Sequence, residues 1–167
     1  RQNKIPFLGI CYGMQMAVIE YARNVLKIKK ATSSEFSKTG VNVIGLIHEW
    51  NRDGKIFKGS KKELGGTMRL GLYEAKLKKN SLIQKIYRSN SINERHRHRY
   101  EVNIDYKDKF EDKGLIFSGI SPDNKLPEII ELKNHPWFVG VQFHPEFKSR
   151  PLNPVSYTHL TLPTSPK

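Results

Sequence analysis

The segment Ile5-Pro-Phe-Leu-Gly-Ile-Cys-Tyr-Gly-Met-Gln15 constrains this chain more than any other feature. Its short apolar run, which ends at Ile10, predicts a buried strand. From Gly13 onward the apolar residues recur at helical spacing, which predicts a helix with one apolar face. Cys11 therefore falls at the tip of a sharp strand-to-helix turn, and a glycine stands two positions away on either side of it.

The elements that follow this turn are mostly strands. The helix is expected to end in the basic stretch 27–30, which suits the negative end of its dipole, and 31–40 has the composition of a loop. Asp53-Gly54 predicts a tight hairpin, and Ser81 is a predicted cap for a short helix over 81–88. Strands are predicted over 41–50, 100–104, 115–120, 128–132 and 137–143. This order predicts an α/β fold whose sheet carries antiparallel additions.

Length and cysteine content limit the class of protein. The chain has 167 residues, which suits one domain of ordinary size. Cys11 is the only cysteine, so it has no internal disulfide partner, and a reducing, cytoplasmic setting is expected. No apolar stretch approaches the roughly 20 residues that a membrane-spanning helix needs.

The formal charge of +13 raises a second hypothesis. Such an excess of Lys and Arg is compatible with nucleic acid or another polyanion as a partner. The basic residues are spread along the chain and interleave with acids, however, so a solvated basic surface is the simpler interpretation. A catalytically silent basic binding module remains an alternative to an enzyme.

Cys11 is a candidate nucleophile because of its place in the turn. Glycines at positions 9 and 13 avoid collisions between side chains at a strained elbow. The helix N-terminus beneath the sulfur favours thiolate over thiol, and the backbone N–H of Tyr12 can point at a developing oxyanion. From the turn alone, an inert buried cysteine is equally plausible.

A second motif, Gln142-Phe-His-Pro-Glu146, offers the proton-transfer group that a thiol nucleophile needs. His144 follows a predicted central strand, and imidazole exchanges protons near neutral pH. Glu146 stands two residues further on and could orient the ring and stabilise its charged form. Taken together, Cys11, His144 and Glu146 predict thiol chemistry on a small amide or ester.

At this point the chain resembles a known family. Gly9-Ile-Cys-Tyr-Gly-Met-Gln15 and Gln142-Phe-His-Pro-Glu146 are similar to the two catalytic motifs of class I glutamine amidotransferases. Further stretches resemble the glutaminase domains of the CTP synthase family in particular. They are Ser34–Phe36, Gly65–Gly71, Glu94–Asn103, Asn134–Phe138 and Phe147–Pro151.

The resemblance implies a role for each matching residue. Cys11 would attack the side-chain amide of glutamine, His144 would carry protons, and Glu146 would orient it. Tyr12, Gly13, Met14, Gln15, Glu35 and Arg99 fall at the family's substrate-binding positions. A site for glutamine needs an acid for its α-ammonium and a base for its α-carboxylate, which Glu35 and Arg99 supply. No metal is expected: His96 and His98 alternate on one strand face, but no cysteine or acid cluster completes a metal site.

The resemblance also implies the fold, partners and cofactors. The fold would be a mostly parallel sheet with flanking helices and antiparallel additions, incomplete at both ends. Residues 1–154 would form a partial amidotransferase domain, and 155–167 a divergent tail outside the native structure. An N-terminal amidoligase domain of the same chain would use ATP and Mg²⁺, with GTP as an activator, in a homotetramer. The chain taken alone is expected to hydrolyse glutamine poorly, because a second oxyanion donor would be missing.

Two enzyme classes share this chemistry and stay open. Another class I amidotransferase or a γ-glutamyl hydrolase would use the same Cys11 and His144 pair. In the CTP synthase interpretation, the released ammonia aminates UTP.

Overall fold

A mixed sheet of six strands organises the structure, a computed structural model that describes residues 1–46, 51–52, 55–56 and 68–152. The strand order is β1-β11-β10-β9-β6-β7. These strands are β1 (Phe7–Ile10), β6 (Arg69–Leu77), β7 (Ser91–His98), β9 (Leu115–Ile120), β10 (Pro127–Leu132) and β11 (Phe138–Val141).

Smaller elements complete the described parts of the chain. A second sheet has the order β2-β3-β8, and a two-stranded ladder joins β4 and β5. Their bounds are β2 (Ala31–Ser33), β3 (Val41–Leu46), β4 (Asn51–Arg52), β5 (Lys55–Ile56) and β8 (Tyr100–Val102). The helices are α1 (Tyr12–Asn24), α2 (Leu82–Tyr87) and α3 (Lys107–Asp112), with 3₁₀ turns at Ile104–Tyr106 and Pro145–Lys148.

The large sheet separates two apolar clusters. The cluster on the side of α1 includes Met14, Val18, Phe110, Phe117 and Ile130. The cluster on the side of α2 includes Ile83, Ile86, Ile129, Val141 and Phe143. Neighbouring residues such as Ile129 and Ile130 belong to opposite clusters, because successive side chains of a strand point to opposite faces. Burying each such side chain contributes roughly 1.5–3 kcal/mol.

The α/β class is confirmed, but the expectation of a mostly parallel sheet is wrong for the described residues. In the large sheet β1 pairs with β11 in parallel, whereas the other pairings, β11–β10, β10–β9, β9–β6 and β6–β7, are antiparallel. The reason lies in the connections. Short links such as 121–126 and 133–137 can join only antiparallel neighbours, since a parallel pair needs a long crossover.

The predicted element boundaries hold in part. Ser81 caps α2 as predicted, with its hydroxyl accepting a hydrogen bond from the Gln84 N–H at 3.1 Å. Helix α1 ends before the predicted basic stretch, within which Lys27 adopts a positive φ of 60°. The predicted loop 31–40 contains β2, and α3 was not predicted.

Some predictions fall on other parts of the chain. The Asp53-Gly54 turn, part of the Gly65–Gly71 stretch and the tail 155–167 lie outside the described residues. Within the described ranges, no helix is long and apolar enough to cross a membrane.

Candidate active site

Cys11 occupies a strained position between β1 and α1. Its backbone has φ 50° and ψ −101°, a region that non-glycine residues rarely adopt. Two hydrogen bonds hold this conformation. The Cys11 N–H donates to the Val141 carbonyl at 2.7 Å, and the Cys11 carbonyl accepts from the Gln15 N–H at 3.3 Å. The elbow is therefore fixed to β11 on one side and to the first turn of α1 on the other.

The two glycines that flank Cys11 have different environments. A Cβ at Gly9 would lie 2.8 Å from the carbonyl carbon of Gly13 and equally close to the Phe7 ring. A Cβ at Gly13 would meet nothing within 4 Å. The predicted steric need for glycine therefore holds at position 9 and is wrong at position 13.

The thiol of Cys11 is less acidic than the sequence led us to expect. Burial raises the pKa of the Cys11 thiol, and the negative charges of Glu101 and Glu146 raise it further. The Tyr12 backbone N–H and the Gln142 side chain act in the opposite direction, but burial is the larger effect. Cys11 therefore needs a base to become a nucleophile, rather than being ionised by the helix alone.

His144, the predicted base, is held in place by contacts of its backbone and its ring. It follows β11, and its backbone N–H donates to the Arg95 carbonyl at 2.8 Å. Its Nδ1 lies 2.6 Å from Oε1 of Glu146, and its ring stacks on Phe147 with 4.8 Å between centroids. Because Nδ1 is engaged with Glu146, proton exchange with a substrate or with Cys11 falls to Nε2.

Strand pairing brings Cys11 and His144 to one edge of the sheet. β1 and β11 are parallel neighbours, with Ile10 opposite Val141. Cys11 follows one strand and Gln142-Phe143-His144 follows the other, so both groups leave the carboxyl ends of adjacent parallel strands. A direct contact joins the two segments: Nε2 of Gln142 lies 3.7 Å from Sγ of Cys11.

Contacts of neighbouring residues connect two of the predicted substrate-binding residues, Glu35 and Arg99, to the first turn of α1. The ring of Tyr12 meets Phe36 edge-on at 6.0 Å, which brings the loop of the exposed Glu35 against the start of α1. Gln15 donates from Nε2 to the Tyr100 carbonyl at 2.9 Å, which brings the adjacent Arg99 to the same region.

Arg99, a predicted substrate-binding residue, is half-buried directly after β7. Its Nη1 is buried and has no hydrogen-bond partner among the described residues. A buried guanidinium nitrogen without a partner is costly, so this atom is suited to bind an anionic group such as a carboxylate. Met14 differs, since its side chain is fully buried in the core and only its backbone can face the elbow.

The sequence reasoning gave no role to Arg69, which holds a buried ionic cluster. Its guanidinium reaches Oε1 of Glu101 at 3.1 Å and Oε1 of Glu128 at 2.8 Å. His96 and His98 complete this cluster, with 2.8 Å between Nδ1 of His96 and Nε2 of His98. The alternation of Glu94, His96 and His98 was the available signal, because it puts polar groups on the buried face of β7.

Burial controls the protonation of this Arg69 cluster. Desolvation and the charge of Arg69 lower the pKa of His96 to about 2 and that of His98 to about 3. Burial raises the pKa of Glu101 to about 8, although the positive charge of Arg69 acts in the opposite direction by favouring the ionised carboxylate. The two histidines are thus neutral and bonded to each other. Within the described ranges, no group of three or more His, Cys, Asp or Glu side chains could hold a metal ion.

Known proteins resemble this chain over nearly its full length. The sequence profile of the family described as "Glutamine amidotransferase class-I" matches residues 1–159. A CTP synthase of Pelagibacter ubique (strain HTCC1062) is 77% identical over 154 residues, and one of Bartonella quintana (strain Toulouse) is 60% identical over 155 residues. Each alignment covers 92% of this chain and 29% of the relative, so the chain spans less than a third of their length.

A solved structure agrees with the fold. The glutaminase domain of a Trypanosoma brucei CTP synthase, described with bound acivicin, superposes with a TM-score of 0.80 at 37% sequence identity. The match covers 93% of this chain and 58% of that one.

Proposed function

Because the chain belongs to the class-I glutamine amidotransferase family, we propose that it is the glutaminase part of a CTP synthase. It hydrolyses glutamine through a cysteine thioester and supplies ammonia for the ATP-dependent amination of UTP to CTP. The observation that carries this proposal is the 77% identity to a CTP synthase over 154 residues. Within the family, that similarity favours this function over another amidotransferase or a γ-glutamyl hydrolase.

The proposed reaction begins at Cys11. His144 takes the thiol proton at Nε2, and the sulfur attacks the side-chain amide carbon of glutamine. The backbone N–H of Tyr12 stabilises the oxyanion that forms. His144 returns the proton to the departing nitrogen, so that ammonia leaves and a glutamyl thioester remains on Cys11. Water, deprotonated by His144, then releases glutamate and the free thiol.

Glutamine recognition rests on opposite charges. We assign Arg99 to the α-carboxylate, because its buried Nη1 has no partner among the described residues. Glu35, exposed in the loop that meets Tyr12 through Phe36, is assigned to the α-ammonium. Gly13, Met14 and Gln15 complete the proposed binding surface along the first turn of α1.

The remaining parts of the proposal concern the whole protein. The similarity to CTP synthases supports an N-terminal amidoligase domain of the same polypeptide as the acceptor of ammonia. In this proposal that domain uses ATP and Mg²⁺, GTP acts as an activator, and the whole protein is a cytoplasmic homotetramer.

A chimaeric enzyme tests this proposal. The segment of the Pelagibacter CTP synthase that matches 154 residues of this chain is replaced by this chain's own sequence. We expect the chimaera to form CTP from UTP and ATP with either glutamine or added ammonia as the nitrogen source. Its Cys11→Ala variant should keep the ammonia-dependent reaction and lose the glutamine-dependent one. A chimaera that uses ammonia but never glutamine would contradict the proposal.

A further inference from the structure

The side chain of Gln142 is fully buried and lies between the proposed nucleophile and α1. Its backbone is held in place, because its N–H donates to the Glu128 carbonyl at 2.8 Å. Its side-chain Nε2 is 3.7 Å from Sγ of Cys11, and its Oε1 is 3.3 Å from Nε2 of Gln15. The proposed reaction does not use Gln142, so its contact with the sulfur calls for a separate explanation.

A chain of hydrogen bonds fixes which end of the Gln142 amide faces the sulfur. The Tyr100 carbonyl can only accept, so Gln15 must turn its NH₂ group toward it, at 2.9 Å. The same nitrogen has a second N–H, which points to Gln142. Gln142 must therefore turn its carbonyl oxygen toward Gln15, and its own NH₂ group is left facing Cys11.

From this polarity we propose that Gln142 is a positioning residue that directs an N–H donor at the Cys11 sulfur and holds the thiolate in place for attack. The inference rests on the proposed glutaminase function for its role in turnover, but the contact with the thiol stands independently. Gln15, which the family resemblance places among the substrate-binding residues, gains a second role as the residue that orients the Gln142 amide.

Other groups around Cys11 disfavour the thiolate that the Gln142 donor stabilises. Burial and the carboxylates of Glu101 and Glu146 disfavour a negative charge on Cys11. The donors that favour the charge are the backbone N–H of Tyr12 and the side chain of Gln142. Tyr12 N–H is also the proposed oxyanion donor. When the Tyr12 N–H bonds to the substrate oxyanion instead of the sulfur, the Gln142 side chain still gives the thiolate one hydrogen bond from the protein.

The first test is the pH dependence of Cys11 alkylation by iodoacetamide, which needs no glutamine. Gln142→Met keeps the length of the side chain without a donor, and Gln142→Glu keeps its shape but presents an acceptor. We expect the midpoint of the alkylation profile to move up by about one pH unit in the Met variant, and further in the Glu variant. Ser118→Ala, which removes another fully buried polar group, should leave the midpoint unchanged.

Glutamine turnover by the chimaera separates this inference from the proposed function. In Gln142→Met, kcat should fall about tenfold with a smaller change in KM, since the proposed charged contacts of Arg99 and Glu35 with glutamine are unchanged and Gln15 keeps its bond to the Tyr100 carbonyl. If the alkylation midpoint shifts in the Gln142 variants but the wild-type chimaera does not hydrolyse glutamine, the positioning role stands and the glutaminase function is rejected. Unshifted profiles in both folded Gln142 variants would overturn the positioning role, whatever the turnover.

A second measurement requires no change at Gln142. In the protein with ¹⁵N-labelled glutamine side chains, the NH₂ resonances of Gln142 should shift over the pH range in which Cys11 ionises. In Cys11→Ser that titration should disappear. Resonances that stay fixed while Cys11 ionises would overturn the inference even if every Gln142 variant failed to fold.

Discussion

At the scale of single residues, the site is set by how each polar atom is satisfied. Nδ1 of His144 has a carboxylate at 2.6 Å, whereas Nη1 of Arg99 is buried without a partner among the described residues. The first arrangement fits the proposed role of His144 in proton transfer, and the second fits the proposed role of Arg99 in binding glutamine. These contrasts motivate separate predictions for rate and for binding.

Glu146→Gln should lower kcat for glutamine hydrolysis about 10- to 1,000-fold in the chimaera, with little change in KM. The amide no longer stabilises the imidazolium form of His144, although it can still contact Nδ1. The effect should be smaller than for a buried carboxylate, because about half of the Glu146 side chain is exposed. An unchanged kcat would show that Glu146 does not assist His144.

Arg99→Lys should raise KM for glutamine about tenfold or more and affect kcat less, since lysine cannot reproduce a bidentate contact with a carboxylate. Arg97→Lys is the matched control, because Arg97 is nearby in sequence and exposed on β7. Steady-state kinetics of both variants decide the assignment. Equal effects, or none at Arg99, would contradict the binding role of Arg99.

Much of this residue-level account could be predicted from the sequence. Cys11, His144 and Glu146 stand out because two short motifs place reactive groups just after apolar strands. The acidity of the Cys11 thiol could not be predicted, since burial and the charges of Glu101 and Glu146 arise from distant parts of the chain. The directed contact from Gln142 to Cys11 likewise depends on the Tyr100 carbonyl, which only the folded chain brings near.

At the scale of elements, the elbow at Cys11 and the β6–β7 pair, which carries the Arg69 cluster, lead to predictions about stability. Gly9→Ala would force a Cβ to within 2.8 Å of the Gly13 backbone, and backbone cannot give way as a flexible side chain can. We expect a loss of about 1–3 kcal/mol in the free energy of unfolding, together with lower Cys11 reactivity.

Gly13→Ala is the comparison for Gly9→Ala. The Cβ added at position 13 would meet no atom within 4 Å, and this position lies in the first turn of α1. It should leave stability unchanged or raise it by up to about 1 kcal/mol, because alanine has less backbone freedom to lose on folding. Urea unfolding measures both variants, and equal losses would contradict the steric argument.

The Arg69 cluster predicts an unusual dependence of stability on pH. Folding lowers the pKa of His96 and His98 to about 2 and 3 from 6.5, so below pH 6.5 the unfolded chain binds more protons and stability falls with falling pH. Folding raises the pKa of Glu101 from 4.5 to about 8, so between these values the folded chain holds the extra proton and stability falls with rising pH.

These effects oppose each other between pH 4.5 and 6.5, but the two histidines outweigh the one carboxyl there. The free energy of unfolding should therefore rise with pH up to about 6.5 and fall above it. Urea titrations from pH 4 to 8 measure it. Glu101→Gln should remove the decline between pH 6.5 and 8. A stability that keeps rising up to pH 8 would contradict neutral histidines at positions 96 and 98 beside a protonated Glu101.

At the scale of the whole molecule, apolar periodicity predicted most strands and the α/β class, but not the direction of pairing. The single parallel pair of the large sheet's described strands, β1 with β11, is also the pair that carries the proposed nucleophile and base. Whether two strands pair in parallel or antiparallel depends on the length and course of the connection between them, which a local apolar pattern does not reveal.

The central claim is that Cys11 is the nucleophile of a glutamine site, and labelling with a reactive analogue of glutamine tests it most directly. Peptide mapping by mass spectrometry should find one adduct, on Cys11, that excess glutamine suppresses and that Cys11→Ser abolishes. The Arg99→Lys variant should require more analogue for the same labelling. An adduct on another residue, or labelling of Cys11 that glutamine fails to suppress, would contradict the account.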